Sequence, residues 1–122
     1  MHRSRLGCLV IDCPAETVTA AAAFWGAALG GEVREDDGQY AVIDGQGDLK
    51  VLVQAVDHDA RVHLDIEADD KDAEVARLRA LGATEVARIK GWIVMQAPTG
   101  HRFCVVNPQG PEFNDKAKGW GN

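Results

Sequence analysis

The amino-acid sequence repeats at a period of just over fifty residues, and a repeat of that size constrains the fold more than any single motif in it. Cys8-Leu9-Val10-Ile11-Asp12 falls on His63-Leu64-Asp65-Ile66-Glu67, Leu29-Gly30-Gly31 on Leu81-Gly82-Ala83, and Val51-Leu52-Val53 on Cys104-Val105-Val106, so the offset stays between 52 and 55 residues. Whatever supersecondary unit the first half forms, the second half must form again. At 122 residues and 13.1 kDa the chain has room for one sizeable core and not for two independent domains.

Hydrophobic periodicity defines the unit. Leu6 to Cys13 is a short apolar run stopped by Pro14 and reads as a mostly buried strand. Ala15 to Leu29 is rich in helix formers, carries Phe24, Trp25, Ala28 and Leu29 at helical spacing and ends at Gly30-Gly31, where a left-handed cap is sterically cheap. The period then drops to two: Glu32 to Glu35, Gln39 to Asp44 and Asp48 to Gln54 read as strands separated by the turn dipeptides Asp37-Gly38 and Asp44-Gly45. After the polar connection Asp57 to Ala60 the order recurs. A strand covers Arg61 to Ala68 and a helix Asp69 to Leu81, with Asp70 as N-cap, Gly82 at its end and Ala73, Ala76, Leu78, Ala80 and Leu81 facing a core. Strands follow over Thr84 to Ile89, Gly91 to Ala97 and Arg102 to Asn107. The predicted fold is α+β: two βαβββ modules, over about 6–56 and 61–108, forming curved mixed sheets around a concave cavity with the helices outside. Antiparallel hairpins, and not helical crossovers, dominate the connections. A tail over 109–122 with isolated Phe113 and Trp120 reads as a strap, packed on the domain or on a second subunit.

Composition narrows the partners. A net charge of -6 and a pI near 5.1 lack the concentrated basic footprint of a nucleic-acid surface. The longest apolar stretch, Thr19 to Gly31, falls short of the ~20 residues of a spanning helix, and the N-terminus lacks a secretory hydrophobic core. A cytoplasmic protein is expected, with neither membrane nor nucleic acid as partner. Three cysteines cannot all pair, and a disulfide framework is a poor explanation for so apolar a chain.

The order and spacing of Val10-Ile11-Asp12-Cys13-Pro14, Phe24-Trp25, Leu29-Gly30, His63 to Asp70, Leu81-Gly82-Ala83 and Ala97 to Val106 resemble the vicinal oxygen chelate superfamily of glyoxalase I, bleomycin-resistance proteins and extradiol dioxygenases. The resemblance spans Leu6 to Pro108 and is to the small glyoxalase-like members. It implies paired modules enclosing a cavity for metal and substrate. The superfamily's metal positions map onto Cys8, Val51, His63 and Cys104, of which only His63 keeps the usual type. Thiols suit the oxygen-preferring metals of that superfamily poorly, so no metal cofactor is expected, with a zinc site on Cys8, His63 and Cys104 as the alternative.

Strand alternation selects the residues that can reach the cavity. With Leu9, Ile11, Cys13, Leu64, Ile66 and Ala68 turned to the helices, the opposite parity carries Cys8, Val10, Asp12, His63, Asp65 and Glu67 on the first strands of the modules. Trp92, Val94 and Gln96, with Arg102, Cys104 and Val106, share that parity on the last hairpin. His63, Asp65 and Glu67 are the candidate acid-base residues; Cys8, Asp12, Trp92, Val94, Gln96, Arg102 and Cys104 are candidate ligand contacts. Two carboxylates so placed are also explained by ion pairs to Arg102 or Arg88, and Trp92 by a place in the core. Asp57-His58-Asp59 reads as a solvated loop. Two function classes result: a metal-independent lyase, isomerase or hydrolase, and a non-catalytic binder of a drug-like or natural-product ligand. A homodimer through sheet edges or the tail is expected in either case.

Overall fold

A computed structural model gives the fold of residues 1–121. It is a mixed α+β structure, mostly sheet, in which the chain runs β1 (His2–Pro14), α1 (Thr19–Leu29), β2 (Val33–Asp36), β3 (Tyr40–Ile43), β4 (Lys50–Val56), β5 (Arg61–Ala68), α2 (Lys71–Ala80), β6 (Thr84–Ile89), β7 (Trp92–Gln96), β8 (Arg102–Val106), α3 (Glu112–Lys116) and β9 (Lys118–Trp120). Two compact units divide it, residues 8–63 and residues 1–7 with 64–121.

In the first unit the strand order is β2-β3-β4-β1, antiparallel except that β4 lies parallel to β1 with Val10 opposite Leu52 and Asp12 opposite Gln54. The second unit repeats this as β6-β7-β8-β5, with β8 parallel to β5 and Asp65 opposite Cys104. That is the expected βαβββ module twice over. Two hairpins reverse the chain after the helix and return its last strand beside its first, which makes that pair parallel.

Each helix covers one face of its own sheet. Under α1 lie Ile11, Ala41, Ile43, Val51, Val53 and Ala55, with Val18 and Ala22 from the helix side. Contact here is close: a Cβ on Gly26 would sit 2.4 Å from Val33 Cγ2. Gly30 ends the helix at φ 72, its N–H donating to the Gly26 carbonyl, a conformation that costs glycine least. The helix starts at Thr19 instead of Ala15, because Ala15 N–H continues the ladder to Val56 O and Val18 N–H bonds Gly38 O, which holds the intervening bends out of the helix. Of the residues noted at helical spacing, Phe24, Ala28 and Leu29 are exposed, and Trp25 alone packs inward.

In the second unit α2 covers Ile93, Met95, Phe103 and Val105 with Val75 and Leu78. Asp70 caps it as expected, accepting from Ala73 N–H at 3.0 Å. Its buried stripe runs through Glu74, Val75 and Leu78, leaving Ala76, Ala80 and Leu81 exposed. The reason is a polar anchor: Glu74 is fully buried and accepts from Arg77 Nε and Nη2 at 2.9 and 2.8 Å, with His2 Nε2 2.7 Å from its Oε1. On β5, Ile66 and Ala68 join the core, whereas Leu64 is 43% exposed despite sharing their parity.

The tail packs on its own chain. His2, Arg3 and Ser4 pair antiparallel with β9, which extends β1 well before the predicted Leu6. Phe113 is buried, and Trp120 donates to Ser4 Oγ at 2.8 Å under the Arg77 guanidinium, 3.8 Å from its ring centroid. Both aromatic residues thus find their cover within the chain, which removes the reason the sequence offers for burying them against a second subunit. No helix among the described residues is long and apolar enough to cross a membrane.

Candidate functional site

The face of the first unit opposite α1 carries a row of polar side chains at paired positions. Tyr40, Gln54 and Asp12 lie in register across β3, β4 and β1, and Gln54 Nε2 donates to Tyr40 Oη at 3.1 Å. Asp12 is the hub. Only 3% exposed, it accepts through Oδ2 from His63 Nδ1 at 2.8 Å. Arg61 Nε and His58 Nε2 stand 3.8 and 3.9 Å from the same oxygen, and Asp12 Oδ1 is buried with no hydrogen-bond partner among the described residues.

This geometry assigns the imidazole protons. An ionised carboxylate only accepts, so His63 donates to Asp12 from Nδ1. His58 Nδ1 lies 2.8 Å from the Asp59 carbonyl, which also only accepts, so His58 Nε2 is the acceptor for Arg61 Nη2 at 3.1 Å. His63 is 13% exposed, and a basic ring nitrogen backed by a buried carboxylate is equipped to take or give a proton. His58 and Arg61 were expected in a solvated connection and at a strand end; both turn to Asp12. Their signal is spatial, since β4 ends opposite Pro14, two residues past Asp12, before Asp57 to Ala60 brings them back over it. Gln54 and Tyr40 were likewise missed, although the alternation Val51-Leu52-Val53-Gln54 already separates Gln54 from the helix-facing residues.

Cys8 and Val10 share the predicted parity but are buried, as is Val51 in the core under α1. Cys8 belongs to no group of three possible metal ligands among the described residues. At the superfamily's metal positions, then, stand a buried thiol, a valine in the helix core, one imidazole and a second thiol. That donor set does not fit an oxygen-preferring divalent ion. Burial, and after it the Asp12 charge, push the Cys13 thiol up, which keeps it protonated and unreactive at neutral pH.

In the second unit the predicted residues occupy the sheet face opposite α2. Val94 pairs with Cys104, Gln96 with Arg102 and Trp92 with Val106. Arg102 Nε donates to Gln96 Oε1 at 2.8 Å, and Arg88 bonds Glu85 and Asp72, so neither arginine takes up the carboxylates of β5. Glu67 is buried and accepts from Gln109 N–H at 3.3 Å, a contact that holds the start of the tail. Asp65 is half-buried beside Cys104. Trp92 is 37% exposed and so is not a core residue. A depression of about 540 Å³ lined by Arg79, Gly82, Ala83, Thr84 and Glu85 contains none of the predicted residues.

Comparison with known proteins agrees with the resemblance read from the sequence. The model of the glyoxalase-like domain matches residues 8–106. The NAD-dependent benzaldehyde dehydrogenase from Legionella pneumophila superposes with a TM-score of 0.61 at 12% identity, over 83% of this chain and 99% of that one. A variant of homoprotocatechuate 2,3-dioxygenase from Brevibacterium fuscum gives 0.57 at 13% identity over 87% of this chain, which spans only 33% of the dioxygenase. A glyoxalase/bleomycin resistance protein/dioxygenase superfamily member from Vibrio splendidus 12B01 gives 0.51 at 16% identity, over 86% and 99%. Identities this low carry the fold alone. Among curated proteins, none matches the chain.

Proposed function

The chain belongs to the glyoxalase-like domain family, and on that premise we propose that it binds a small organic molecule and moves a proton on it through the Asp12–His63 pair, without a metal. The observation that carries this is the 2.8 Å bond from His63 Nδ1 to a carboxylate only 3% exposed. His63 Nε2 takes a proton from the ligand; the imidazolium so formed is stabilised by Asp12, and the same nitrogen returns the proton to a different atom. Such a step suits an isomerase or a lyase; with water as the deprotonated species it suits a hydrolase. Asp12 is a positioning residue, since it acts through the ring it orients. Glu67, held by Gln109 N–H, serves the tail more than the chemistry.

Thermal shift against a panel of metabolites and antibiotics, followed by turnover assays on the hits, tests the reading, because a ligand stabilises the native state whether or not it reacts. His63→Gln is expected to lower turnover by roughly a hundredfold or more with ligand affinity within a few-fold of wild type, and a chelator is expected to leave turnover unchanged. Turnover that survives in His63→Gln refutes the catalytic role. A second reading, a binder without turnover, draws support from the exposed Trp92 ring, a surface on which flat ligands stack.

A further inference from the structure

The second unit's sheet face opposite α2 is divided along its strands. At one end Trp92 pairs with Ile89 on β6 and Val106 on β8, and partners in register share a face, so an exposed indole sits among aliphatic side chains. Val94 continues the apolar surface between Ala87 and Cys104. At the other end stands half-buried Arg102. Its Nε–H bonds Gln96 Oε1 at 2.8 Å, which fixes the plane of the guanidinium, and no carboxylate among the described residues pairs with it. An unneutralised, part-buried guanidinium is a ready partner for a planar anion, because its remaining N–H groups form a fork that matches a carboxylate. Of the acids along β5, Glu67 lies opposite Val106 at the indole end and Asp65 opposite Cys104 in the middle row. Glu67 disfavours an anion at the indole end and so gives the face a polarity.

Resting on the small-molecule reading above, we propose that this face binds an elongated aromatic monocarboxylate, its carboxylate on Arg102 and its rings over Val94 and Trp92. Gln96, the partner of Arg102, lies four positions beyond Trp92, about 13 Å along the strand, so a single ring does not span the face and a two-ring ligand does. Gln96 is a positioning residue that orients Arg102.

Calorimetric titration of the full chain with biphenyl-4-carboxylate, biphenyl-4-carboxamide and benzoate tests this. The acid is expected to bind at least tenfold more tightly than the amide, and benzoate more weakly than the biphenyl acid. Arg102→Gln should abolish the preference for acid over amide, whereas Trp92→Ala should weaken both biphenyl probes at least fivefold and Trp92→Phe should retain most of the affinity. Circular dichroism melts check that each variant is folded. Equal affinity for acid and amide, no binding of the biphenyl acid, or an acid preference that survives in Arg102→Gln each overturns the proposal. If a panel ligand is still turned over in a His63-dependent manner, such a failure leaves the proposed function standing; if no ligand of any class stabilises the protein, that function fails as well.

Discussion

Replacing Glu74 by Gln is expected to be among the most destabilising of shape-conserving changes in this chain. The carboxylate is fully buried, and His2, Arg77 and Ser4 converge on it from β1 and α2. Burial pushes its pKa up, but the hydrogen bonds from Arg77, His2 and Ser4, with the Arg77 charge, more than offset this and hold it below the usual Glu range. Two bonds to Arg77 at roughly 1.5–3 kcal/mol each give an upper bound on the loss, and relief of carboxylate desolvation returns part of it. A net loss of about 2–4 kcal/mol remains, roughly 8–16 °C in Tm for a chain of this length. Urea and thermal unfolding followed by circular dichroism measure it directly. Because the folded pKa lies below the unfolded one, the stabilisation is complete at neutral pH and is lost as pH falls through the folded value. The gap between wild type and Glu74→Gln should therefore close on acidification below about pH 4. A gap under about 0.5 kcal/mol at pH 7, the size of an ordinary surface substitution, or one that stays constant down to about pH 3, refutes the reasoning.

Gly7→Ala should cost about 1–3 kcal/mol in a urea melt, since its Cβ would lie 2.5 Å from Glu67 Cγ and displace a buried side chain. Gly31→Ala is expected to be worse, because its Cβ would meet the Asp44 backbone carbonyl at 2.1 Å, where no rotamer change relieves the clash; soluble yield and Tm report it. Truncation after Gln109 should lower Tm by exposing the groups that Phe113 and Trp120 cover, a loss readable by differential scanning fluorimetry. Asp12→Asn should lower turnover of any panel ligand about as far as His63→Gln does, since Asn presents no anion to the imidazolium; a variant with wild-type turnover speaks against the pair.

The repeat carried most of the architecture. Apolar periodicity with Gly-containing turns sufficed to order both βαβββ units, because each strand and helix is amphipathic on a scale of a few residues and its partners lie nearby in the chain. Asp70 as N-cap and Gly30 as terminator were legible for the same reason: a cap is satisfied within four residues. Element ends were less legible where a distant segment decides them. His2 to Ser4 becomes strand only because Lys118 to Trp120 returns to pair with it.

His63 and Asp12 stood out by type and parity, yet nothing local states that they form a hydrogen bond 51 residues apart, nor that His58 and Arg61 close over the same carboxylate. Alternation says which face a side chain takes and leaves its neighbours across the sheet undetermined, because these follow from the register between strands. That register also put Val51 under α1 and set Gln54 beside Asp12. The stripe of α2 was misjudged for a related reason. Hydrophobicity alone favours its alanines and Leu81, whereas the packed structure buries Glu74, since only there do His2, Ser4 and Arg77 supply the donors that a carboxylate removed from water requires.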